Sequence, residues 1–328
     1  MNKKIIAAAI AASFAAAPAM ADVTVYGKVA QSLDFIDDTQ NGTVRDRAEI
    51  NDRSSRLGFK GSEDLGNGLK AIFKIEFNVK ASESDPNDGS TAITANRNQY
   101  VGLAGDFGTV LMGRHDSPID MAWSKNNIFG DTIADAKGSY GPLDWTRVDG
   151  TIAYVSPSFS GLTGAVAIAP GEESALTPAA NSDGIADHWA AMLKYSNAGL
   201  GLGLGYQALE TTTVDLDDWL LTASYKMDNL FVSLTYEDQG SSLANSDVEA
   251  WVINGKYTMG NNDLKIQFTD RDAEAAGRDQ DGWAIGLDHK FSKRTIAQIT
   301  YASVDAESNG TTAEEDGDSF SLQMVHKF

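Results

Sequence analysis

The chain has 328 residues, 26 Lys and Arg against 46 Asp and Glu, and no cysteine. Disulfides and thiolate metal sites are therefore excluded. With a formal net charge of −20 nucleic acid is excluded as a partner, because neutralising phosphates takes basic surface.

In chain order, Met1–Lys4 is a short basic start, Ile5–Ala17 an apolar run and Ala19-Met20-Ala21 a small-x-small cleavage pattern. This predicts a cleaved secretory signal peptide over residues 1–21 and a mature chain from Asp22. Without Lys3 and Lys4, 24 bases face 46 acids, a net charge of −22.

From Asp22 onward the dominant signal has a period of two. In LKAIFKIEFNVK, Leu69, Ala71, Phe73, Ile75, Phe77 and Val79 share one parity, opposite Lys70, Ile72, Lys74, Glu76, Asn78 and Lys80. Such alternation is a strand with one apolar and one wet face. It predicts sixteen strands, at 22–35, 44–61, 69–81, 96–104, 109–115, 149–156, 162–168, 187–196, 200–209, 217–226, 230–238, 248–258, 263–271, 282–291, 295–304 and 319–328. No helical period emerges, and no run reaches the ~18 apolar residues of a spanning helix.

The connections alternate between short turns, such as Gly105–Gly108, and long acidic loops, such as 305–318. An even number of strands with this asymmetry predicts an all-β, 16-stranded antiparallel transmembrane barrel over residues 22–328. Trp and Tyr recur six residues apart at 189/195, 219/225 and 251/257, as in aromatic girdles at the two membrane interfaces or in cross-strand packing. The glycines of GLGLGLGY (199–206) alternate with leucines, and no helix follows. A nucleotide loop is excluded on that context; the reading is a strand whose bare inner face meets another piece of chain or an open lumen.

The stretches DVTVYGKV (22–29), SRLGFKGSEDLGNGLKAIF (55–73), RNQYVGLAGDFGTVLMGR (97–114), DGTIAYVSPSFSGL (149–162) and SLQMVHKF (321–328) resemble the trimeric general diffusion porins of Gram-negative outer membranes. The resemblance implies an inward-folded third loop, here about 115–146, whose acids face a basic wall. It places Lys28, Arg56, Arg97 and Arg147 on that wall, and Phe129-Gly130 resembles the family's loop tip. Enterobacterial members carry a glutamate before that Phe, where this chain has Ile128. The acidic side then falls to Asp116, Asp120, Asp131 or Asp135, with no choice among them. Arg114 is expected near a trimer interface, facing an acid of a neighbour's second loop, supplied by Glu83, Asp85 or Asp88, or else in an intrachain pair.

The expected function is passive transport of ions and small hydrophilic solutes by an outer-membrane homotrimer in contact with lipid and lipopolysaccharide. Acidic mouth segments at 169–187 and 210–218 favour a weak cation preference over the pull of the basic wall. The alternatives are a sugar- or anion-selective pore, or a barrel whose acidic loops bind a partner. His115, His188, His289 and His326 lack ligand spacing, so neither an enzyme nor a metal or other cofactor is expected.

Overall fold

The computed structural model describes residues 22–40, 43–82, 93–94, 97–137, 147–170, 185–210, 215–242, 247–274, 279–307 and 316–328. The expected signal peptide, Glu83, Asp85 and Asp88 lie outside them.

The described residues form one closed antiparallel barrel of sixteen strands. The first half comprises β1 (Asp22–Gln40), β2 (Thr43–Asp52 continued by Arg56–Gly66), β3 (Leu69–Val79), β4 (Gln99–Gly105), β5 (Gly108–His115), β6 (Val148–Val155), β7 (Leu162–Ala169) and β8 (His188–Asn197). The second comprises β9 (Leu200–Glu210), β10 (Asp215–Met227), β11 (Leu230–Ser241), β12 (Val248–Met259), β13 (Asn262–Ala273), β14 (Asp279–Lys290), β15 (Thr295–Glu307) and β16 (Gly317–Lys327). Each strand pairs with its chain neighbours, and β1 closes the ring on β16 from Lys28↔Lys327 to Asp38↔Gly317. Closure leaves no sheet edge, which hydrocarbon would penalise.

Four details differ from the sequence expectation. The strand at 44–61 is broken at residues 53–55, where Ser54 takes a left-handed φ of 57° and Ser55 Oγ is bonded to the Ala30 N–H. β1 runs on to Gln40, so only residues 41–42 separate it from β2. The strand expected at 217–226 begins two residues earlier, so that Asp215 already belongs to β10. Ile93–Thr94 adds a short bridge to Asn78 and Val79 ahead of β4.

The barrel is apolar outside and polar inside. On β10, Trp219, Leu221 and Tyr225 are exposed while Asp218, Leu220 and Thr222 are buried. Exposed and buried residues alternate in the same way along β8–β16. One tier of outward rings follows the loop end: Trp189–Tyr206–Trp219 at 4.9 and 4.5 Å, Tyr236–Trp251 at 4.4 Å and Trp283–Tyr301 at 5.4 Å. Tyr195, Tyr225 and Tyr257 lie opposite Leu202, Leu200 and Leu230 toward the short turns. The rings therefore form two tiers, and within the upper one they pack across strands.

Candidate functional site

The short strand β5 delivers the chain into the segment 116–137. Ser117 caps a single helix, α1 (Pro118–Trp123), accepting the Asp120 N–H, and Pro118 sits in its first turn. Proline suits that position because its missing N–H would have no helical partner there. No helix is legible in the sequence at this point; six residues are too few to establish a period.

α1 buries Ile119, Ala122 and Trp123 against Ala165, Met192, Leu220, Ala250 and Val252. These are residues of the inner face. The bare stripe of β9 is its seat: a Cβ on Gly205 would lie 2.6 Å from Ile119, and one on Gly203 3.1 Å from the Ala122 carbonyl. Of the two sequence readings for that stripe, a second piece of chain is the one found.

The segment then follows the inner wall, tied by side chains to its backbone carbonyls. Lys194 donates to Met121 O at 2.9 Å, Asn254 to Asn126 O at 3.1 Å, Lys265 to Ile128 O at 3.2 Å and Gln267 to Ala134 O at 2.9 Å. Phe129 is fully buried against Gly286, Ala284 and Ala302, with the Lys265 ammonium 4.5 Å from its ring centroid. A buried cation over a ring face is an attractive contact. Gln323 of β16 donates to Asp131 O at 3.0 Å, which brings the segment round to β1.

There the four wall bases and the four loop acids can be placed one by one. Lys28, 4% exposed, donates to Asp131 at 2.7 Å, and Arg56 stands behind it with Nη2 3.8 Å from the same carboxylate. Arg147 approaches Asp116 at 2.5 Å, and Asn98 donates to the other oxygen of that carboxylate at 2.9 Å. Asp120 instead pairs with Lys137 at 2.5 Å inside the segment. Asp135 accepts from Asn127 and from the Asp131 N–H, so it folds the segment rather than facing the wall. Ile128, where enterobacterial members carry the glutamate, packs beside Phe129.

Arg97 turns to a residue the sequence reading left aside. Glu76, 3% exposed on the inner face of β3, accepts from Arg97 Nε at 2.5 Å and from the Tyr26 hydroxyl at 2.7 Å, with Lys74 at 3.5 Å. Its signal was present in the wet parity of β3, a lone acid between Lys74 and Asn78. Above it, Asp34 is fully buried and takes Arg53, Asn51, Ser32 and Ser321, and Asp38 takes Arg45 and Arg47. Arg114 pairs within the chain with Asp149 at 2.7 Å.

The charges on the segment are shaped by this contact. Burial acts to raise Asp131, but the cations Lys28 and Arg56 outweigh it and hold the carboxyl below the ordinary value. Asp116 follows the same logic, with burial overcome by Arg147 and by the Asn98 hydrogen bond. Asp135 has no such cation and burial raises it.

The described residues leave a cavity of about 450 Å³ at this wall, lined by Tyr26, Lys28, Arg56, Lys74, Glu76, Arg97, Asn98, Asp116 and Arg147 among others.

Comparison with known proteins agrees with this architecture. The model of the Gram-negative porin family matches residues 7–309. The major outer membrane protein P.IB of Neisseria lactamica is 32% identical over 265 residues, covering 74% of this chain and 73% of the relative. A Neisseria gonorrhoeae protein of the same name is 33% identical, covering 71% of this chain and 64% of that one. Among solved structures, an anion-selective porin from Comamonas acidovorans superposes with a TM-score of 0.79 at 22% identity, covering 94% of this chain and all of that one. Salmonella typhi OmpF in complex with daunomycin gives 0.76 at 15% identity over 93% and 97%. The matched family is one of channels, not of enzymes. A closed sixteen-stranded barrel, apolar without and charged within, that matches this family over most of its length belongs to the Gram-negative porins: it is an outer-membrane channel protein.

Proposed function

We propose that this porin is a general diffusion channel for ions and small hydrophilic solutes, narrowed by segment 116–137 and weakly selective for cations. The observation that carries the reading is the Lys28–Asp131 contact, with Arg56 behind it. It ties an inward-lying loop to a charged wall and leaves fixed charges beside the water path. A solute with a dipole can align in such a field, whereas an apolar one gives up hydration without return.

The cation preference rests on where charge is paired. Lys28, Arg97 and Arg147 each have a carboxylate within 2.7 Å, which leaves a small local excess of positive charge. The loop end carries Glu210, Asp215, Asp217, Asp238, Glu249, Asp270, Asp272, Asp279 and Asp281 on the ends of β9–β14. Acids there raise the local cation concentration within a Debye length, about 8 Å at physiological salt. The working form is a homotrimer embedded in lipid and lipopolysaccharide, as is general for channels of this family.

The test is the reversal potential of single channels in a planar bilayer under a KCl gradient. Conductance closing in three steps with a reversal potential of cation sign supports the reading. An anion sign passes control to the wall bases, and a folded trimer without conductance refutes the channel function.

A further inference from the structure

We propose that the turn between β14 and β15, with the outward ends of β14 and β16 beside it, binds one anionic phospholipid of the periplasmic leaflet. The inference rests on the barrel's place in the outer membrane and not on its solute range.

The first observation is charge. Seven short turns join the hairpins, at 67–68, 106–107, 156–161, 198–199, 228–229, 260–261 and 291–294. In such barrels this end faces the periplasm. Only the last turn carries a base, and it carries two, Lys293 and Arg294, whereas Asp106 and Asp228 make two of the others acidic. Both bases are exposed. Among the described residues no acid stands within ion-pair range of either. The neighbouring Lys290 is already taken by Asp263 at 2.6 Å.

The second is that the turn is held in one shape. Ser292 Oγ accepts from the Arg294 N–H at 3.1 Å and from the Thr295 N–H at 3.0 Å. Arg294 O takes the Lys327 N–H at 2.8 Å, which ties the turn to β16. Bases on a turn already ordered give up less freedom when a ligand arrives.

The third is the surface that the turn overhangs. Towards the membrane centre, Leu287, Ile299 and Met324 are exposed to lipid. Next to the turn the outward face changes to His289 and His326. His289 Nδ1 lies 2.8 Å from Asn262 Oδ1, and His326 Nδ1 lies 3.0 Å from Thr295 Oγ1. Phe291 packs edge-on to His289 at 4.7 Å. Side chains with an apolar body and a polar tip belong at headgroup level. Ala297 sits in the ladder directly between His289 and Met324, so a notch one side chain wide opens there. It suits the glycerol end of an acyl chain, with the phosphate at Lys293 and Arg294. The guanidinium offers phosphate oxygens a fork, and the ammonium adds a point charge. A zwitterionic headgroup would bring an ammonium of its own up to two bases that have no acid to offset it.

The experiment is native mass spectrometry of the intact protein in detergent, titrated with dioleoyl phosphatidylglycerol, phosphatidylethanolamine and phosphatidylcholine. One phosphatidylglycerol per chain is expected to be retained in preference to the other two lipids; equal retention of all three would overturn the proposal. Lys293→Gln with Arg294→Gln is expected to weaken that retention roughly twentyfold, at about fivefold per base. The β-sheet circular dichroism of the variant should stay unchanged, and unaltered retention would again overturn the proposal. Ala297→Leu, which fills the notch without touching a charge, should weaken retention as well. Lys226→Gln removes an exposed base from the same end of β10 and should have no effect; an equal loss there would reduce the binding to diffuse charge and count against a site. Free glycerol 3-phosphate should not compete at concentrations equal to the lipid. Competition at equal concentration would assign the turn to soluble phosphate esters. Binding to isolated peptidoglycan that the double variant loses, without any preference for phosphatidylglycerol, would assign it to cell-wall carboxylates. Either result would overturn the lipid site and leave the membership of the porin family untouched.

Discussion

Asp131 adopts a φ of 61°, in the left-handed region that aspartate tolerates better than most side chains. The outcome is a carboxylate aimed at Lys28. Removing that carboxylate would leave an ammonium with 4% exposure uncompensated, a change that typically costs about 3–5 kcal/mol. Asp131→Asn is therefore expected to undock the segment around Phe129, read as new protease cleavage between residues 116 and 137. Lys28→Met combined with it should restore protection, because no buried charge remains. The pH dependence has a definite sign. Asp131 and Asp116 are depressed in the folded state, so their contribution is complete above the ordinary aspartate pKa, about 3.9. It is lost only as pH falls below that through the lowered values. Protection of the segment should persist from pH 8 to about 4 and fail below; failure near pH 6 would contradict the assignment.

At the level of elements, α1 is too short to be stable alone, since helices under about 12 residues are marginal in water. It exists because the glycines of β9 make room for Ile119 and Ala122. Gly205→Val is expected to expel α1 from its seat while leaving the outward face of β9 untouched. The barrel should keep its β-sheet circular dichroism and its heat resistance, with single-channel conductance raised by the widened path. Unchanged conductance would show that the bare stripe is not what seats the helix. The charge alternation of β3 has the converse role. Its inner parity supplies Lys74 and Glu76 to one cavity wall and Asn78 as an acceptor for Arg97, and its outer parity supplies Ile75 to lipid.

For the whole molecule, inside-out packing sets the direction of mutational cost. Leu221 is 57% exposed on the lipid side of β10, between the two aromatic tiers. Leu221→Arg should cost about 2–4 kcal/mol of folding in lipid vesicles, whereas Leu221→Ile should cost little. The separation of charge along the axis makes a second prediction. A cation preference set by acids at the mouth should fall as salt rises from 0.1 to 1 M, because the screening length shrinks from about 10 to 3 Å. A preference independent of salt would place its origin at the close pairs of the wall. Heat dissociation of the proposed trimer tests Arg114: with its guanidinium on Asp149 in the same chain, Arg114→Ala is expected to leave the dissociation temperature unchanged.

The alternation of side chains determined the barrel by itself. A period of two survives any tertiary context, because a strand has only two faces, and the fifteen joints between strands are marked by turn residues or by runs of acids. Arg56 and Arg147 could be placed on the inner wall for the same reason, and Lys28 and Arg97 by the resemblance in the surrounding motifs. Parity could not say which acid meets which base. Asp116 and Asp131 reach the wall while Asp120 and Asp135 stay within the segment, and that division depends on how a stretch without a period threads through the lumen. α1, the seat on β9 and the Tyr26–Glu76–Arg97 chain are likewise products of closure, which brings together residues up to 287 positions apart, such as Asp34 and Ser321. Local pattern encodes which way a side chain faces; only the closed ring decides what it faces.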